Sequence, residues 1–112
     1  MYLYLIQQKG SNYFKVGISN NVKRRLENLQ SGNPHKLYVV RYWFIVDKSI
    51  EALIHNVLAA YHVHLEWFDI PDVTKVLAVI EKVIEMTTAE ELEEQARKEI
   101  EELNKRYKEL HT

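Results

Sequence analysis

A chain of 112 residues and 13.3 kDa, with 46% hydrophobic and 11% aromatic residues, supports one hydrophobic core and excludes two independent catalytic domains. The absence of cysteine excludes disulfides, thiolate metal sites and a cysteine nucleophile, and suits a reducing compartment. The formal net charge of -1 hides an asymmetry: residues 1–46 carry seven basic side chains (Lys9, Lys15, Lys23, Arg24, Arg25, Lys36, Arg41) against Glu27 alone, whereas residues 71–112 carry eleven acidic against seven basic ones, so only the N-terminal half is suited to a polyanion.

Residues 2–7 and 13–18 are rich in aromatic and β-branched residues and flank the turn signal Lys9-Gly10-Ser11-Asn12, which predicts a β-hairpin. Asn20 or Asn21 is positioned to cap a helix over 22–30, where Val22, Leu26 and Leu29 repeat at helical spacing and Ser31-Gly32-Asn33-Pro34 stops it. Arg25, three residues after Val22 and four before Leu29, falls at the buried edge of that helix, while Lys23 and Glu27 face water. Residues 37–46 read as a strand. Asp47 or Ser49 can cap a helix over about 49–61, whose apolar face is Ile50, Leu53, Ile54, Val57 and Leu58. An irregular stretch, 62–71, follows. Two more helices are expected, over about 73–86 and 89–110, the second introduced by overlapping capping boxes at Thr87 and Thr88.

The expected fold is therefore α+β: a small three-stranded antiparallel sheet flanked by helices in the order β-β-α-β-α, occupying residues 1–70, with an acidic helical extension over 71–112. In the last helix Ala96, Ile100, Leu103, Tyr107 and Leu110 form a seam of about two heptads, which either pairs with a second copy to make a homodimer or docks on its own domain. No run approaches the roughly 20 apolar residues of a membrane span, and the Met-Tyr-Leu-Tyr start lacks the basic region of a signal peptide. A soluble cytoplasmic protein without membrane contact is expected.

Three groups of residues could carry chemistry. Lys15, Lys23, Arg24 and Arg25 lie close in sequence to Tyr2, Tyr4 and Tyr13, and read either as a phosphate-binding surface with stacking aromatics or as a charged helix face beside ordinary strand residues. Glu51 opens an apolar helix, where a carboxylate either complements the helix dipole or holds a cation, with His55 one turn later able to share it. His62 and His64 would share a face in an extended segment, without an evident third ligand.

Tyr4-Leu5-Ile6, the run from Lys15-Val16-Gly17-Ile18 to Arg24-Arg25-Leu26, and Ser49-Ile50-Glu51-Ala52-Leu53-Ile54 resemble the three signature blocks of the GIY-YIG endonuclease superfamily. The resemblance is to the branch typified by the phage T5 open reading frame 172 domain and the meiotically upregulated gene 113 domain, which Leu29-Gln30-Ser31-Gly32-Asn33-Pro34 and Glu66-Trp67-Phe68 also match. It covers about residues 2–70. It implies a divalent-metal-dependent endonuclease acting on DNA, of a kind frequent in phages and mobile elements, with Tyr4, Arg25 and Glu51 catalytic. In that picture Glu51 holds a single Mg or Mn ion, Lys15, Lys23 and Arg24 bind phosphate, and His55 and Glu66 are auxiliary candidates. The sequence departs from the wider superfamily where Lys15 replaces the second-block tyrosine, Tyr2 stands at the first-block glycine, and Glu66 lies near an asparagine of many relatives. A non-catalytic module binding nucleic acid or a phosphorylated small ligand is the alternative.

Overall fold

The computed structural model describes residues 1–111; Thr112, the end of the expected extension, lies outside the described residues. The hairpin signal forms β1 (Tyr2–Gln8) and β2 (Tyr13–Ser19). Gly10 takes φ +75° in the turn between them, a left-handed conformation that glycine adopts without a Cβ clash. Strand β1 is central, pairing antiparallel with β2 on one side and with β3 (Leu37–Phe44) on the other, so that Tyr4 lies opposite both Gly17 and Tyr42.

Strand side chains alternate between faces, and each face of β1 is covered differently. Leu3 and Leu5 join Phe14, Val16, Ile50, Ile54, Leu58, Val76 and Ile80 in the larger core. Tyr4 and Ile6, with Leu37, form a smaller core beneath Val22, Leu26 and Leu29 of α1 (Val22–Gln30). Asn21 caps α1: its Oδ1 accepts from the Arg24 backbone N–H at 3.0 Å, a bond that stabilises a helix start by about 1 kcal/mol.

The sheet has five strands, not the expected three, in the order β3-β1-β2-β5-β4. The additional strands, β4 (His62–His64) and β5 (Trp67–Asp69), lie in the stretch expected to be irregular. Three residues are too few for a period-two pattern to register, and β5 is held by its pairing with distant Tyr13–Lys15. In the tight β4–β5 turn Leu65 adopts φ +52°.

Helix α2 (Ser49–Val57), followed by a 3-10 turn (Ala59–Tyr61), fills the span expected to be one helix. The Asp47 carboxylate accepts from the Ser49 backbone N–H at 2.9 Å, and that bond holds its carboxyl below the usual range.

The two expected C-terminal helices are one continuous helix, α3 (Val73–His111). The hydroxyls of Thr87 and Thr88 donate to the Val83 and Ile84 carbonyls, both at 2.9 Å. This is bonding to the preceding turn within a helix, not N-capping of a new one. The first turns of α3 share the larger core through Val76 and Ile80, and Glu81 meets Arg41 of β3 at 2.7 Å. Among the described residues, no helix is long and apolar enough to cross a membrane.

Candidate active site around Tyr4

Tyr4 is almost fully buried, and its ring reaches across β2 over Gly17. A Cβ built on Gly17 would lie 2.6 Å from Tyr4 Cζ, so the motif glycine is required by the close approach of this ring. Arg25 stands half-buried at the edge of α1, as its spacing predicts. Its Nε donates to Tyr4 Oη at 3.4 Å.

The pairing of β2 with β5 covers Tyr13 to Lys15 and ends where the Val16 N–H donates to the Glu66 carbonyl at 3.2 Å. That junction brings the Lys15 ammonium to 3.0 Å from the Glu66 carboxylate and to 5.6 Å from the Trp67 ring centroid. Lys15, only 8% exposed, is thus held in an ion pair and is not a free surface cation. Beyond the junction, Gly17 to Ser19 have no strand partner on the β5 side among the described residues.

Glu51 sits half-buried in the first turn of α2, on the opposite side of the sheet from α1. The helix is fastened across β2 by His55, whose Nε2–H donates to the Val16 carbonyl at 2.8 Å while its ring packs edge-on to Phe68 at 5.1 Å. His55 therefore faces the β2 backbone and Phe68.

The electrostatics of Tyr4 tie these pieces together. Burial raises its pKa above the ordinary value of 10.0; Arg25 opposes this by hydrogen bond and charge, and the carboxylates of Glu66 and Glu51 add to the rise. Arg25 is raised in turn, first by its bond to Tyr4 and also by Glu66. Arg25 of α1, Glu51 of α2 and Glu66 of the β4–β5 turn thus all act on Tyr4 of β1, and Glu66 acts on Arg25 as well.

Lys23 and Arg24 are exposed on α1. Lys23 borders an open cleft of about 440 Å³ that Tyr2, Asn20, Asn21, Val22, Leu26, Val39 and Tyr42 also line. Tyr2 makes edge contacts with Tyr42 and Phe44, at centroid distances of 5.6 and 5.7 Å. His62 and His64 are separated by a register shift in their pairing with β5, and His62 Nε2 is engaged with the Leu65 carbonyl at 2.6 Å. Among the described residues, no three His, Asp or Glu side chains are grouped as metal ligands.

Two features escaped the sequence. The Lys15–Glu66 pair joins residues with no local signal, and the cleft beside Tyr42 depends on the β1–β3 register. The alternation of β1 and β2 could have placed Tyr4 over Gly17, once the hairpin register was fixed.

A family model for the T5orf172 domain matches residues 1–87. No curated protein and no solved structure matches the chain.

Proposed function

The chain belongs to the T5orf172 domain family, and on that premise we propose that it is a divalent-metal-dependent DNA endonuclease of GIY-YIG type, with Tyr4, Arg25 and Glu51 at its active centre. The observation that supports this reading is the Tyr4 hydroxyl, which lies over the bare Gly17, accepts from Arg25 Nε at 3.4 Å, and whose ionisation the charges of both Arg25 and Glu51 influence.

Each residue suits its role. Glu51 offers a single hard oxygen donor group, which fits Mg²⁺ or Mn²⁺: a small divalent ion of this kind keeps several waters and needs only one or two carboxylates. When bound, such an ion supplies positive charge against the phosphoryl oxygens. Arg25 uses Nε on Tyr4 and turns its terminal nitrogens to the charge that develops on the phosphate. With a raised pKa, Tyr4 works as a neutral hydroxyl: it accepts from Arg25 and donates its own proton to orient the attacking water, and it is not a phenolate base. Exposed Lys23 and Arg24 contact flanking phosphates. The cleft between Tyr2 and Tyr42 offers aromatic surface to a base.

A second reading, a non-catalytic module that holds nucleic acid or a phosphorylated small ligand, is favoured by one observation. Where the wider superfamily places a tyrosine hydroxyl, Lys15 is committed to Glu66. Supercoiled plasmid incubated with Mg²⁺ or Mn²⁺ separates the two. The nuclease reading expects nicking that is lost in Glu51→Ala and Arg25→Ala while the variants stay folded. Nicking that persists in both would overturn the assignment. Salt-sensitive binding without turnover in either metal would support the second reading.

A further inference from the structure

The distal half of α3 leaves the domain. From Glu85 to His111 it extends for about 40 Å, which gives the chain a longest dimension of 71 Å and a radius of gyration of 19.2 Å, against roughly 13 Å for a compact chain of this length. Leu92, Ile100, Leu103, Tyr107 and Leu110 on this stretch are between 57 and 82% exposed. The core-facing stripe of the same helix, Val76, Leu77, Ile80, Val83 and Ile84, lies on another side. At 100° per residue the two stripes are centred roughly 150° apart, so the distal seam faces away from its own domain. An exposed apolar stripe of this kind marks a binding surface.

Charge identifies the occupant. Residues 90–102 carry Glu90, Glu91, Glu93, Glu94, Glu99, Glu101 and Glu102 against Arg97 and Lys98, whereas 103–111 carry Lys105, Arg106 and Lys108 against Glu109. A partner that matches this surface is acidic where the seam is basic and basic where it is acidic, which is the same helix reversed. We propose that two copies of this chain pair through the distal α3 helices as a short antiparallel coiled coil.

One register satisfies both packing and charge. Ile100 of one copy packs against Leu103 of the other, and Ala96 against Tyr107, a small residue opposite a large one. By symmetry these make four apolar layers. The same register sets Glu99 of each copy beside Arg106 of the other, both pairs on one flank of the seam. A shallow groove of about 300 Å³ bounded by Glu99, Glu102, Leu103 and Arg106 lies where Ile100 of the second copy enters. Parallel pairing would instead align the acidic stretches and put Glu85 beside Glu90. The antiparallel register is also sterically open: the second helix ends near residue 92, about 12 Å beyond the turn at Ile84, and each globular domain sits at its own end of the coil.

The test uses the full chain. Sedimentation equilibrium up to about 1 mM, a range that captures weak association, is expected to give a mass of twice 13.3 kDa that reverts to one chain in Leu103→Asp. A one-chain mass for the unaltered protein overturns the proposal. The absence of native cysteine allows a single spin label at Thr88→Cys, outside the overlap. Antiparallel pairing separates the two labels by about 40 Å along the coil. A separation of about 20 Å or less shows parallel pairing and overturns it. Glu99→Arg is expected to dissociate the pair, and adding Arg106→Glu to restore it; dissociation without restoration would overturn the register.

Discussion

Replacing Gly17 by alanine probes the contact on which the site is built. The new methyl carbon would stand 2.6 Å from Tyr4 Cζ and 3.2 Å from Cε1, so a buried ring in the smaller core has to shift. Forcing an extra methyl into a packed core costs about 1–3 kcal/mol. Gly17 is not among the positive-φ glycines, so alanine meets no backbone strain there and recovers about 0.5–1 kcal/mol of strand stability. The net expectation is a loss of about 1–2 kcal/mol. With a urea slope of about 1.5 kcal/mol per M, the unfolding midpoint falls by about 1 M. The decisive comparison is a double-mutant cycle with Tyr4→Leu, which removes the ring. In that background Gly17→Ala is expected to be neutral or stabilising, giving a coupling of about 1–3 kcal/mol. An equal cost in both backgrounds would refute the steric account, and an unchanged midpoint with Tyr4 present would refute it more directly. If the chain cleaves DNA as proposed, a ring shift that draws Tyr4 Oη away from Arg25 is expected to lower nicking as well.

Other outcomes follow from the same contacts. Tyr4 has a folded pKa raised above 10.0, so its contribution to stability is full below that value and declines as pH rises from about 10 through the folded pKa. Denaturant midpoints measured across that alkaline window are expected to fall less steeply in Tyr4→Phe than in the parent; identical slopes would refute the linkage. Glu66→Gln removes a carboxylate that raises the Tyr4 pKa, so an ultraviolet titration of that variant is expected to show the buried tyrosine ionising at lower pH, and a rise would contradict the assigned geometry. Tyr42→Ala removes an exposed ring together with its edge contact to Tyr2 and is expected to lower stability by about 0.5–1.5 kcal/mol. If Tyr42 stacks on a base, the loss of about 1–3 kcal/mol weakens single-stranded oligonucleotide binding roughly five- to 150-fold in fluorescence anisotropy, and unchanged affinity would remove the cleft from the interface.

The sequence alone determined the elements whose reason for forming is local. The Gly10 turn between two β-rich runs, the Asn21 cap, and Arg25 at the edge of the Val22–Leu26–Leu29 face depend on backbone sterics and helical spacing, which act within a few residues. Tertiary structure decided what distant segments do to one another. It gave β4 and β5 their strand character, since three-residue strands exist only by pairing. The joining of two expected helices into α3 is a local matter that the pattern left open, because a threonine hydroxyl can cap a helix or bond to the preceding turn, and Thr87 and Thr88 do the latter. Tertiary structure also paired Lys15 with Glu66, turning a cation that reads as a phosphate contact into half of an ion pair. The charge asymmetry was legible from the first count, but its geometry was not. Only a helix that carries the seam away from its own core leaves the acidic and basic stretches of α3 exposed together along one rod.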